Sequence, residues 1–298
     1  MPVLGYYYTT EYDVLSETEL QSLGMEFAHW PQDDQFMAAQ AILEIFDPKG
    51  DPRAADYLIY HLIRVFNEGK TDRAKVAASK VLGKIGEPAV IPLISSLTGG
   101  PYYYNGYDHT AEVRAYAAET LGIIGDERAF YHLVDVVENC SVDRGKERQG
   151  AVIALGEYGD PRAVEPLINA LSDEREDDMF LSSTARSLGK IGDPRAVDAL
   201  IPLLNNGWHN YRITPTIKAD IIWALGEIGD PRAVDIMISS LDDSSATVRA
   251  AAASALGEIG DPRAIDPLRN VVTEDSREVV REAASDALTK LRATEEMG

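Results

Sequence analysis

One cysteine, Cys140, is all that 298 residues contain. That excludes an internal disulfide framework and any CxxC metal or redox motif. Positive charge is scarce too: 28 Lys and Arg stand against 49 Asp and Glu, a formal net charge of −21. Phosphate-bearing partners are recognised through Lys and Arg, so neither a nucleic acid nor an anionic membrane is expected. The acidity fits either a long, soluble exposed surface or a basic protein partner. No apolar run approaches the ~18 residues of a membrane span. The opening MPVLGYYYTTEYD has neither the basic stretch nor the apolar core of a secretion signal, and a cytoplasmic location is expected. The five histidines (His29, His61, His109, His132 and His209) are scattered, and no HExxH motif or phosphate-binding loop occurs. Cys140 has no base placed beside it by any motif and reads as incidental. No catalytic constellation, metal site or cofactor site is therefore expected.

What the chain has in abundance is repetition. LGKIGEPAV at 82–90 returns as LGIIGDERA at 121–129, LGEYGDPRA at 155–163 and LGKIGDPRA at 188–196. LGEIGDPRA then occurs at 225–233 and again at 256–264, and a worn copy, LEIFDPKGDPRA, sits at 43–54. Successive leading leucines lie 39, 39, 34, 33, 37 and 31 residues apart. A period of this size belongs to a stack of small helical units and overrides the two-domain prior that length alone suggests.

Residues 230–260 show how one unit reads. Gly229 ends the preceding helix in the left-handed conformation. Asp230 is an N-cap and Pro231 suits a first helical position. Helix A follows as AVDIMISSL, DDSSA turns the chain, and TVRAAAASALGEI forms helix B. On helix B, Val248, Ala252, Ala253, Leu256 and Ile259 make an apolar stripe to be buried, while Ala250, Ser254 and Glu258 face away from that core. Pro166 and Pro267, several residues past the cap, are expected to kink their helices. A cationic position recurs early in helix B at Lys75, Arg114, Arg148, Lys218, Arg249 and Arg281, broken by Leu181. It is expected to bond an acid or a helix end next door, as are Arg53, Arg162, Arg195, Arg232 and Arg263 of the Asp-Pro-Arg turns.

These residues, in the pattern VRxAAAxALGxIGDPRAxxPL over about 40–292, resemble the HEAT-like repeats associated with phycobilin lyases. The resemblance implies an all-α, right-handed α-solenoid of about eight HEAT-like helical hairpins, with B helices lining a concave side that takes the partner or ligand. The expected organisation is an N-terminal extension over 1–15, a single array over 16–292 and a disordered tail over 293–298. Tyr6, Tyr7, Tyr8 and Tyr12 would cap the first hairpin, whose helix A opens with the capping box Ser16 to Glu19 and whose helix B runs from Pro31 to Phe46. A di-iron hydroxylase is built on similar repeats, but its repeated His-Glu ligands have no counterpart here.

Function is sought where the repeat departs from itself. Residues 98–110, TGGPYYYNGYDHT, and 205–216, NNGWHNYRITPT, lengthen the turn between helices A and B. Tyr102, Tyr103, Tyr104 and Tyr107 in one insertion, and Trp208 and Tyr211 in the other, are of the kind enriched at recognition surfaces, or else fold back over neighbouring hairpins. The outward stripe carries Lys80, Lys84, Tyr116, Glu119, Glu157, Arg186, Lys190, Trp223 and Glu227. These residues are the candidate partner-binding surface. The expectation is a non-catalytic scaffold or assembly factor that binds another protein or a peptide. The alternative is a phycobilin lyase subunit or bilin-binding chaperone, in which Tyr116 and Trp223 would wall the tetrapyrrole and Arg186 and Lys190 would meet its propionates. Oligomeric state is left open.

Overall fold

The computed structural model describes residues 59–60, 62–66, 72–98, 110–139, 145–172, 177–206 and 213–297. Outside them lie the expected N-terminal cap and first hairpin, the worn repeat copy with Arg53, Cys140, and residues 99–109 and 207–212 of the two aromatic insertions. The described residues are helical, with no strand among them. After a helical stretch at 59–66 come α1 (Asp72–Ile85), α2 (Val90–Thr98), α3 (Ala111–Ile124), α4 (Glu127–Asn139), α5 (Gly145–Tyr158), α6 (Val164–Leu171) and α7 (Asp178–Ile191). Then follow α8 (Val197–Asn206), α9 (Pro215–Ile228), α10 (Val234–Ser240), α11 (Ala246–Ile259), α12 (Ile265–Glu274) and α13 (Glu278–Met297). Odd-numbered helices are the B helices and even-numbered ones the A helices. The chain divides between Pro92 and Leu93 into two compact units, so the array expected over 16–292 is described as two bodies.

Local chemistry sets each boundary. Thr110, Asp177 and Thr214 cap α3, α7 and α9 by accepting from the backbone N–H three residues on. Each B helix from α1 to α11 then stops on a glycine: Gly229, at φ 72°, adopts the left-handed conformation and returns its N–H to the Leu225 carbonyl. Asp230 accepts from the Arg232 N–H, and Pro231–Ala233 forms a single 3₁₀ turn before α10 begins at Val234. The same turn precedes α6, α8 and α12. It corrects the expected kinks. Because the α-helix restarts after it, Pro166 and Pro267 fall in a first turn, where an N–H has no intrahelical partner to lose. The last helix, α13, runs to Met297. ATEEM is composed largely of good helix formers.

In the second unit the B helices stack in series, α3 on α5, α5 on α7, α7 on α9, α9 on α11 and α11 on α13, and each A helix packs on the B helix that follows it. The core is built from the repeated positions: the leucine of each LG (Leu121, Leu155, Leu188, Leu225, Leu256), the alanine after each Asp-Pro-Arg, and the valine next to it (Val164, Val197, Val234), all buried. The glycine after each leucine governs how near the B helices come. A Cβ on Gly122 would stand 2.6 Å from the Ala154 Cα, and one on Gly189 or Gly257 would stand 2.7 Å from the Cα of Ala224 or Ala287. No side chain fits such gaps.

Two polar ladders tie the repeats together, as expected. Arg195, Arg232 and Arg263 each chelate the aspartate two residues back and donate to the proline carbonyl of the preceding turn (Pro161, Pro194 and Pro231) at 2.7, 2.8 and 3.0 Å. Arg232 also grips Asp198, and Arg263 grips Asp235. In the second ladder, Arg114 Nε meets the buried Glu147 at 2.5 Å, and Arg148 Nε donates to the Val137 carbonyl at 2.7 Å. Lys218 pairs with Asp243, Arg249 with Asp275, and Arg281 donates to the Asp275 carbonyl. Leu181, which breaks this ladder, is fully buried.

Two stability measurements follow. Gly189→Ala gains up to about 1 kcal/mol of helix propensity but forces an overpacking cost of about 1–3 kcal/mol, so it should lower the urea midpoint. Gly145→Ala, at the open start of α5, should leave the midpoint unchanged or raise it. The second concerns acid. Hydrogen bonds from the neighbouring arginine hold the carboxyls of Asp160, Asp193, Asp230 and Asp261 below the ordinary range. A depressed folded-state carboxyl stabilises above the unfolded value of roughly 3.9, and that contribution is lost as pH falls through the folded value. Urea midpoints should therefore be level near neutrality and fall below about pH 5. Asn at positions 193, 230 and 261 together should lower the neutral-pH midpoint and flatten the acid slope.

Candidate functional site

The outward face of the B helices is where the candidate residues converge, and stacking gives it a definite geometry. At three places, a residue two positions before or after the leading leucine meets its equivalent in the next repeat. In the row before the leucine, the Arg186 guanidinium lies over the Trp223 ring, 4.7 Å from its centroid. In the row after it, Lys190 pairs with Glu157, and Lys290 pairs with Glu258.

Around Trp223 the face forms a small network. Arg186 Nη1 reaches Asp220 Oδ1 at 3.0 Å, and the Ser182 hydroxyl donates to the other carboxylate oxygen of Asp220. One repeat earlier, Gln149 Nε2 donates to Ser183 Oγ at 3.0 Å. Trp223 is half-buried, while Arg186, Lys190, Glu157 and Glu227 are exposed. On α3, Tyr116 and Glu119 are half-buried, and burial pushes the Glu119 carboxyl above its ordinary value. Lys80 and Lys84 are exposed on α1, within the first unit. Tyr102, Tyr103, Tyr104, Tyr107, Trp208 and Tyr211 lie outside the described residues.

Sequence reasoning missed three things. Asp220 precedes Trp223 by one helical turn, and that spacing is the signal that places it on the same face. Ile123 occupies an outward position that is charged at Lys84, Glu157, Lys190, Glu227 and Glu258, and it is 53% exposed. A third departure gathers on the turn side of the repeats. Arg162 lies over Phe130 at 4.4 Å and bonds the Tyr131 hydroxyl, while the Tyr158 hydroxyl donates to the Asp126 carbonyl at 2.6 Å. There Glu127, at the usual proline position, supplies the acid for Arg162, and Tyr131 replaces the acid found at Glu165, Asp198 and Asp235. Among the described residues no group of three or more His, Cys, Asp or Glu is placed to hold a metal ion, and no helix there is long and apolar enough to cross a membrane.

Paired helices stacked through their B members define an α-solenoid. The family model for HEAT repeats matches residues 143–219 and 214–289, and the PBS lyase HEAT-like repeat matches residues 113–139. These matches identify HEAT repeats over residues 143–289 and a HEAT-like repeat over 113–139. Among solved structures, YibA of Escherichia coli is similar at 17% identity and a TM-score of 0.50, covering 96% of this chain and 99% of that one. The complex of CpcE and CpcF of phycocyanin lyase from Nostoc sp. PCC7120 is similar at 18% identity and a TM-score of 0.45, covering 78% of this chain and 94% of that one. Human deoxyhypusine hydroxylase is similar at 20% identity and a TM-score of 0.38, covering 93% and 97%. Likeness at these identities concerns the fold. None of the curated proteins matches the chain in sequence.

The Arg186–Trp223 contact is open to direct measurement. With Trp30 and Trp208 replaced by Phe, emission reports Trp223 alone. Arg186→Met should shift that emission, and Asp220→Asn should shift it in the same direction by releasing the guanidinium, whereas Glu227→Gln should leave it unchanged.

Proposed function

We propose that the chain is a non-catalytic helical-repeat scaffold or assembly factor, resident in the cytoplasm, that takes a partner protein or peptide on the outward face of its B helices. The observation that carries this reading is the half-buried Trp223, held beneath Arg186 on the outward face of the B helices. Large aromatics beside arginine are the residue types that dominate binding energy at protein interfaces. The aromatic insertions at 98–110 and 205–216 belong to the same reading as additional contact loops. With a net charge of −21, a nucleic acid or an anionic membrane is not proposed as the partner.

The second reading, a bilin-handling protein of the phycobilin-lyase kind, is favoured by the PBS lyase HEAT-like match over 113–139, which contains Tyr116 and Glu119. Two facts count against it. Arg186 is already held by Asp220 and Lys190 by Glu157, so each cation would have to leave a carboxylate to meet a propionate. The bilin would be the only cofactor under that reading.

Affinity capture with the full chain, followed by rebinding of the captured protein in purified form, separates the two. Trp223→Ala combined with deletion of residues 99–109 should abolish rebinding, and undiminished rebinding would remove the face from consideration. Titration with a free bilin should leave the bilin absorption spectrum unchanged. A red shift that disappears in Arg186→Ala would reverse the order of the two readings.

A further inference from the structure

The two outward rows differ in how their charges are satisfied. Asp220, Glu157 and Glu258 each hold a cation from the next or preceding repeat. Glu227 has no such cation but stands exposed in water, where an ionised carboxylate costs nothing. Glu119 has neither arrangement. It is half-buried, burial raises its carboxyl, and among the described residues no cation or hydrogen-bond donor pairs with it.

Glu119 shares its side of α3 with two less polar side chains. Tyr116 lies nearly one turn before it and Ile123 one turn after it on α3, on the same side of the helix. Ile153 of α5 occupies the equivalent position in the next repeat, the relation in which Arg186 and Trp223 stand two repeats on, and α3 packs on α5. Ile123 is 53% exposed in a row that is otherwise charged. Two aliphatic side chains and a half-buried carboxylate without a partner among the described residues therefore occupy adjacent positions on the face of α3 and α5.

We infer that Glu119, Ile123 and Ile153 form the anchor point of this face, and that its occupant is an amphipathic segment of the partner with aliphatic and basic residues. Its aliphatic side chains lie on Ile123 and Ile153, and one lysine or arginine meets Glu119. This rests on the scaffold reading and specifies its partner. The charge balance selects the basic residue. The chain carries −21, and the cations along these rows of the second unit, Arg186, Lys190 and Lys290, are already engaged with carboxylates. An acidic segment finds repulsion on this face, and a purely basic one finds nothing for Ile123 to bind.

Three labelled synthetic peptides of equal length test the assignment by fluorescence anisotropy with the full chain at about 0.15 M salt, where exposed charges are well screened. One is an amphipathic Leu/Lys helix, one its Leu/Glu counterpart, and one a Ser/Lys peptide of the same charge. The Leu/Lys peptide should bind about tenfold or more tightly than the Ser/Lys peptide, and the Leu/Glu peptide should not bind. Ile123→Ser and Glu119→Gln should each weaken Leu/Lys binding by roughly fivefold or more, with Glu138→Gln, exposed on the A helix α4, as the neutral control and far-UV circular dichroism confirming folded variants. Equal binding of Ser/Lys, preference for Leu/Glu, or indifference to both substitutions would overturn the anchor. Capture that is lost in Trp223→Ala yet intact in Ile123→Ser would end this inference while leaving the scaffold standing. Binding of no peptide and capture of no partner would end both.

Discussion

The separation of successive B helices is the constraint on which the second unit depends. It is set by a glycine in one helix and a small residue in the next: Gly122 against Ala154, Gly156 against Ser187, Gly189 against Ala224, Gly226 against Ala255 and Gly257 against Ala287. Contact at that distance leaves no room for sliding, because a one-residue slip would set a side chain where only a hydrogen fits. The outward rows are a direct result. Arg186 lies over Trp223, and Lys190 meets Glu157, because the backbones beneath them are pinned in register.

Much of this was legible in LGxIGDPRA. The glycine stop, the aspartate cap and the proline start each have a local reason and can be read one residue at a time. The structural work of the arginines was legible as well, since a position that recurs in every repeat serves the repeat. What escaped was relational. Asp220, Ser182 and Ile123 acquire meaning only when one helix is laid on another, and no pattern within a single helix says which residue of the next repeat it will meet. The expected kinks at Pro166 and Pro267 failed for a different reason: one turn of 3₁₀ helix resets the count from which a proline's position is judged.

The outward face also shows how an acidic molecule distributes its few cations. Arg186, Lys190 and Lys290 bridge to the repeat before or after them, and the arginines of the turns do the same on the other side. Positive charge is thereby used internally, to hold neighbours together, and the surface offered outward is negative with aromatic and aliphatic interruptions. Such a surface discriminates by sign before it discriminates by shape.

The register of the stack is read through space, from glycine to alanine, and never along the chain. Loop length between helices A and B is therefore decoupled from the geometry of the array. Within the second unit, leading leucines separated by anything from 31 to 37 residues sit on one regular ladder. A protein built this way can lengthen a turn, or decorate it with tyrosines, without renegotiating the positions of its other repeats. Variation accumulates at one edge while the face laid down by the B helices keeps its spacing.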